Sequence, residues 1–309
     1  MSESRIEFEC FGGCVEVRAG GGAGAPAALE RARARLLDAH RRLSRFDPGS
    51  ELSRLNRDQR CEVPASPLLR QLAVAIAEAG ERSGGLVDGT LLREIERAGY
   101  ADSLPQGRRP TPPPAVAPSG PAGPRDRADW AALRVDQRAG TVIRPPGVQI
   151  DGGGLAKGML ADLLGADLAG FGSFAVDCCG DLRLGGRAGA ERRVMVDDPG
   201  GGPPVGELRL RAGGVATSGI SRRSWRRAGG RPGHQIIDPR SGEPAFTGVL
   251  QATAVAPTAL LAEVYAKAAL LAGPEEAPAW LPFGGVLVLA GGTVETVPAS
   301  TELPQPVPA

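Results

Sequence analysis

The sequence predicts an α+β fold: a mixed, largely antiparallel sheet with flanking helices. Strand-like and helix-like runs are interspersed without a regular βαβ rhythm, which argues against a doubly wound sheet. Turn formers are abundant, with 45 Gly and 28 Pro in 309 residues, so many turns and long loops are expected. Apolar residues make up 42% but aromatics only 4%, so the core must rest on Leu, Val and Ala.

Residues 6–18 alternate loosely and contain Gly12 and Gly13, predicting a first strand with a kink. A helix follows over 27–46. Pro26 suits its start, Leu29, Leu36 and Leu43 mark one face, and Asp47-Pro48-Gly49 breaks it. Ser66-Pro67 supplies the N-cap and first-position signals of a second helix through Leu68, Leu69, Leu72 and Ile76, ended by Ser83-Gly84-Gly85. Residues 104–127 hold Pro105, Pro110, Pro112, Pro113, Pro114, Pro118, Pro121 and Pro124, and predict an extended or disordered surface loop. Strands are expected near 133–135 and 141–144, then a glycine stretch and a helix to about 169. Phe174-Ala175-Val176 reads as a buried strand, and 191–197 and 207–212 as strands. Gln251 to Ala256 is a strand, Pro257-Thr258 opens a helix to about 272, and Gly285 to Ala290 is a late strand. No internal repeat is visible, so 1–309 reads as a single domain carrying one Pro-rich loop.

The formal net charge of +1 argues against a general nucleic-acid binder. The cluster Arg31, Arg33, Arg35, Arg41 and Arg42 reads as a solvated helix face. No run approaches the roughly 18 apolar residues of a membrane span, and no apolar stretch resembling a leader follows Glu3, Arg5, Glu7 and Glu9. The expected setting is cytoplasmic. Cys10, Cys14, Cys61, Cys178 and Cys179 form no CxxC pair, which suits a reducing compartment and offers no metal-finger spacing.

Three segments carry chemistry. Asp151-Gly152-Gly153-Gly154-Leu155-Ala156-Lys157-Gly158 precedes a predicted helix. Glycines let backbone approach phosphate oxygens, and the helix start aims free N–H groups at an anion. It is neither a P-loop, since Lys157 is followed by Gly158, nor a G-x-G-x-x-G turn. It is either a phosphate cradle or a plain glycine turn. His234 lies beside the turn Asp238-Pro239-Arg240-Ser241-Gly242 and is one of only 2 histidines; it is either catalytic or structural. Glu263 and Lys267 stand four apart on a predicted helix in the favourable order, and the simplest reading is a helix-stabilising pair contributing about 0.3–0.5 kcal/mol.

In this order, the segments resemble the ApbE family of FAD:protein FMN transferases, and the resemblance extends further. Phe11-Gly12-Gly13 is similar to an N-terminal Met-Gly-Thr, and Leu43 through Asn56 to an aromatic-then-Ser-Glu-Leu-x-x-Leu-Asn signature. Gly84 to Asp88 resembles Gly-Gly-x-Phe-Asp, Cys179-Gly180-Asp181 resembles Gly-Gly-Asp, and Thr217-Ser218-Gly219 resembles the family's Thr-Ser-Gly.

The resemblance implies transfer of FMN from FAD to a Ser or Thr hydroxyl of an acceptor protein, with release of AMP and with Mg²⁺ on the diphosphate. The alternative it leaves open is an FAD-binding member with weak or no transfer, given to FAD hydrolysis or carriage. It places Phe11 and Phe46 near the flavin or adenine, Leu86, Val87 and Asp88 along the nucleotide, Asp151 and Lys157 as its grip, and Ile237 against it. The Gly154 carbonyl would face the metal, and His234 would supply the base. Two departures fall on the chemistry. Where the family's metal helix carries Asp and then Thr, this chain has Glu263 and Lys267, and Lys267 is not expected to ligate. Where the family's His directly precedes the Ile-x-Asp-Pro run, Gln235 stands here.

Overall fold

A computed structural model describes residues 3–103, 118–189 and 191–303. The chain opens with β1 (Glu3–Cys10), β2 (Gly13–Gly20), α1 (Ala25–Leu43), α2 (Glu51–Arg57), β3 (Glu62–Pro64), α3 (Pro67–Arg82) and α4 (Leu92–Arg97). It continues with β4 (Arg134–Asp136), β5 (Thr141–Ile143), α5 (Ala156–Leu168), β6 (Ser173–Cys178), β7 (Leu182–Gly185), β8 (Arg192–Val196) and β9 (Gly206–Leu210). Then follow β10 (Gly213–Gly219), β11 (Ser224–Arg226), β12 (Pro232–His234), β13 (Val249–Ala256), α6 (Ala259–Ala272), β14 (Gly285–Leu289) and β15 (Val294–Val297). Among the described residues no helix is long and apolar enough to cross a membrane.

Eight strands form one sheet in the order β1-β2-β6-β7-β10-β13-β14-β15. The fold is α+β as expected, but the sheet is not mixed: every described strand pair is antiparallel. Along the sheet, α1 packs on β1 and β2, α5 on β6 and β7, and α6 on β10 and β13. The larger core lies between them, with Val15, Val17 and Val176 from strands against Leu29, Leu36, Leu160 and Leu164 from helices. A second core sits under α6, where Leu270 meets Val249, Ala252 and Leu287. The β8–β9 ribbon brings Leu210 against Leu184, Val215 and Val255. Strand alternation explains the division, since successive residues of β10 such as Val215 and Ala216 enter different clusters.

The helix-start signals work as written. The Ser66 hydroxyl accepts from the Leu69 N–H at 3.3 Å, and the Thr258 hydroxyl accepts from the Leu261 N–H at 3.2 Å. The expected kinked strand over 6–18 is instead a hairpin. Phe11 and Gly12 have φ of 56° and 76°, and two consecutive residues in that region make the tight turn whose twist suits a two-residue hairpin. Of the Pro-rich stretch, 104–117 lies outside the described residues. The remainder, 118–127, is extended but tied down: Ser119 N–H donates to Phe246 O at 2.7 Å, Ala122 N–H to Leu271 O at 2.9 Å, and Gly123 N–H to the Asp238 carboxylate at 3.0 Å.

The Ser50 to Asn56 signature builds the scaffold under the glycine stretch. Ser50 caps α2, and the Glu51 carboxylate accepts from Ser66 N–H at 2.7 Å at the start of α3. The Asn56 amide donates to Ile150 O at 2.8 Å and accepts from Ile150 N–H at 2.9 Å. The fully buried Arg144 guanidinium donates to the carbonyls of Val148, Leu55 and Asp58. The backbone that enters Asp151 is therefore held by side chains from two directions. Asn56→Ala strands a buried N–H and a buried C=O at Ile150 and should lower stability by about 2–4 kcal/mol. Chemical denaturation checks this, with an increase in protease sensitivity expected at 145–155.

Candidate functional site

Four elements meet at the amino end of α5. The helix starts at Ala156, and its N-terminal flank has no side-chain cap. The β6–β7 turn contributes Asp181, α6 contributes Glu263 and Lys267, and the glycine stretch passes between them. Lys157 is ion-paired with Asp181, and its Nζ lies 4.0 Å from the Glu263 carboxylate. Glu263 also accepts from the Gly158 N–H at 3.2 Å. Lys267 donates from Nζ to the Gly154 carbonyl at 2.5 Å. The carboxylate side chains are almost closed from solvent, at 2% for Asp181 and 6% for Glu263.

Close helix packing makes this geometry possible. A Cβ on Gly158 would stand 2.8 Å from the Ala259 carbonyl oxygen, so only glycine lets α5 approach α6 so nearly. The two helices cap one another across the crossing. Asp162 on α5 accepts from Ala259 N–H at 2.8 Å and Leu260 N–H at 2.9 Å, while Glu263 on α6 serves Gly158. A carboxylate at a helix amino terminus is favoured by the free N–H groups and the helix dipole.

Burial and neighbouring charge set the protonation states. Burial, reinforced by the Asp181 charge, pushes Glu263 up to about 7 against the opposing pull of Lys157 and Lys267. Burial disfavours the Lys157 ammonium too, but the Asp181 and Glu263 carboxylates outweigh it, and Lys157 is held above its ordinary value. Lys267 is shifted down by burial, with Glu263 and Asp181 opposing.

Beside the glycine stretch stands a wall of rings and a guanidinium. Arg45 lies 4.2 Å from the Phe46 ring centre and 4.6 Å from that of Tyr100. Its Nε stands 3.4 Å from the Asp151 carboxylate. Trp225 continues the wall, 5.4 Å from Tyr100 between ring centres, and Ile237 shares its apolar cluster. Phe46 is among the few exposed large hydrophobics, at 37%. On the other side, the hairpin tip at Phe11 accepts from Arg223 at 3.5 Å, and Arg223 is close enough to Lys157 to oppose its charge.

The structure thus brings together Asp151, Gly154, Lys157, Glu263 and Lys267, with Phe46 and Phe11 on the flanks and Ile237 buried behind Trp225 with Leu91 and Ala98. It points other side chains inward. Leu86 packs against the cluster under α6, Val87 is buried, and the Asp88 carboxylate is enclosed, where it pairs with Arg125 at 3.0 Å and accepts from the Thr90 N–H. His234 is fully buried against Phe246, 4.7 Å between ring centres; its Nδ1 accepts from Ile236 N–H, and Nε2 has no hydrogen-bond partner. A general base must present its lone pair to the group it deprotonates, and this imidazole does not. Gln235 lies just past the end of β12, donates to Gly219 O at 3.3 Å, and has a buried Oε1 without a partner. Asp181, Arg45 and Arg223 were not singled out as site residues by sequence reasoning. Asp181 lay inside a recognised motif, while Arg223 had no local signal among its many neighbouring arginines.

Burial drives the His234 pKa down to about 3 from an ordinary 6.5. The unfolded chain then takes up this proton first, so the contribution is whole above about pH 6.5 and is lost as pH falls toward 3. Between pH 6.5 and 5 the wild type should lose about 2 kcal/mol more than His234→Gln. Denaturant titrations of both proteins at the two pH values read this, and parallel losses would mean that His234 is solvated.

The comparisons with known proteins agree with this architecture. A model of the ApbE family matches residues 11–288. The FAD:protein FMN transferase of Rhodobacter capsulatus is 33% identical over 287 residues, covering 88% of this chain and 52% of that protein. The FAD:protein FMN transferase of Treponema pallidum is 36% identical over 171 residues, covering 48% of this chain and 47% of that protein. The chain thus spans about half the length of these two curated relatives. Among solved structures, the ApbE protein of Thermotoga maritima superposes with a TM-score of 0.78 at 23% identity, over 96% of this chain and 97% of that one. The apo flavinyl transferase ApbE of Pseudomonas stutzeri gives 0.74 at 21%, over 96% and 95% of the two chains. With a family model matched along nearly its whole length, the chain belongs to the ApbE family.

Proposed function

We propose that the chain is an FAD:protein FMN transferase, moving FMN from FAD to a Ser or Thr hydroxyl of an acceptor protein with release of AMP. The observation that carries the reading is the junction of Lys157 at the amino end of α5 with the ring-lined wall at Phe46. A cation at a helix amino terminus suits a diphosphate, and an exposed ring suits a flat heterocycle. The acceptor oxygen attacks the FMN phosphorus, the bond from that phosphorus to the bridging oxygen breaks, AMP leaves with that oxygen, and the hydroxyl proton passes to solvent. Lys157 stabilises the charge that develops on phosphate. The fully enclosed His234 takes no part in this account. The five free cysteines support the cytoplasmic setting.

A divalent ion does not fit the residues present. Mg²⁺ takes oxygen ligands at about 2.0–2.1 Å, and the Gly154 carbonyl already receives the Lys267 ammonium. Among the described residues no group of three or more His, Cys, Asp or Glu side chains is arranged to hold a metal. No step of the transfer is therefore routed through a metal.

Incubation with FAD and an acceptor domain should add the FMN mass to one acceptor hydroxyl and release AMP in equal amount. Mass spectrometry and nucleotide chromatography read both products, and FAD turnover without acceptor labelling would rule the transferase out. Lys157→Met combined with Asp181→Asn, which leaves no orphaned buried charge, should slow transfer about 100-fold.

A further inference from the structure

We propose that Lys267 does in this chain what a divalent cation would otherwise do: its ammonium is the fixed positive charge that meets the FAD diphosphate, so flavin binding is independent of divalent metal. The inference rests on the transferase reading above and concerns the same site.

Three observations support it. The Lys267 Nζ donates to the Gly154 carbonyl, the oxygen at the heart of the glycine stretch. The same helix carries Glu263 one turn earlier, and Glu263 is already engaged by the Gly158 N–H and faces Lys157. The carbonyl and the carboxylate on which a metal would draw are thus both partnered. An ammonium has three donors and no lone pair, so it can hold Gly154 with one N–H and present the others to phosphate oxygens, but it cannot ligate. A divalent ion placed on the Gly154 oxygen would stand against the ammonium at contact distance, where like charges repel strongly in a partly desolvated site.

The charge balance agrees. Lys157 and Lys267 face Asp181 and Glu263, so the four charges balance when Glu263 is ionised and leave one positive charge in excess when it is protonated. Arg223 then adds positive potential without a counterpart in the quartet. A diphosphate therefore arrives at a site whose cations are built in, and ordering a metal is not part of the binding equilibrium.

The test is FAD affinity by flavin-fluorescence titration of the intact chain, in EDTA and in millimolar Mg²⁺, with Mn²⁺ binding followed by electron paramagnetic resonance in the presence of FAD. The expected result is an FAD Kd unchanged within twofold between the two conditions and no stoichiometric Mn²⁺. A tenfold or greater gain with Mg²⁺, or one Mn²⁺ per chain, overturns the inference while leaving the transferase reading intact. Absence of FAD binding in both conditions overturns that reading and the inference with it. Lys267→Thr should convert the site: its FAD affinity in EDTA falls at least tenfold and returns with Mg²⁺. Lys267→Met should fall equally and not return. If either variant, folded by circular dichroism, binds FAD in EDTA as tightly as the wild type, Lys267 is not the cation.

Discussion

The crossing of α5 and α6 is the constraint on which the site depends. The helices approach so nearly that Gly158 has no room for a side chain against the Ala259 carbonyl, and each supplies a carboxylate to the other's amino end. The crossing does two jobs at once. It buries apolar surface under the sheet, and it places Glu263 and Lys267 opposite the glycine stretch. A change that spread the helices would cost packing and would also detach Glu263 from Gly158 and Lys267 from Gly154. Stability and ligand geometry are therefore set by one contact, which explains why small residues crowd this part of the chain.

The site is a buried charge network held together by mutual neutralisation. Removing one partner of a buried ion pair costs far more than the pair contributes, because the remaining charge is left in a poor solvent. Lys157, Asp181, Glu263 and Lys267 each depend on the others in this way. Glu263 shows the tension most clearly: two cations favour its charge, yet burial and Asp181 push its pKa up to about 7. An entering phosphate shifts that balance by adding negative charge, and the network is preloaded to receive it.

Much of the fold was legible in the sequence wherever local chemistry decided the structure. Ser66-Pro67 and Pro257-Thr258 gave helix starts because caps are local, and the heptad of Leu29, Leu36 and Leu43 gave a buried face because a helix turns regularly. What was not legible came from contacts distant in sequence. The hairpin at Phe11 was read as a kink because Phe is an unusual residue at positive φ. The all-antiparallel pairing could not be seen because register is set by the whole sheet. The motifs name Asp151, Lys157 and Glu263, which the fold brings close together, and also Val87 and Asp88, which it places in a buried position and in an enclosed ion pair with Arg125. His234 was drawn in as a rare histidine one position from the expected place. His234 is the last residue of β12, and its side chain is enclosed in the core.

The same reasoning applies to Lys267. Replacing an exchangeable ion by a tethered ammonium changes the kind of site, not only its charge. A metal adds affinity at the cost of its own dehydration and can leave; a lysine on a packed helix is preorganised, and its ordering cost is met when the chain folds. It brings one charge in place of two and binds phosphate as a point donor without fixed coordination angles. The tethered cation therefore trades strength of polarisation for constant occupancy. The neighbouring Lys157, held firmly charged by Asp181, is the residue placed to supply the second positive charge.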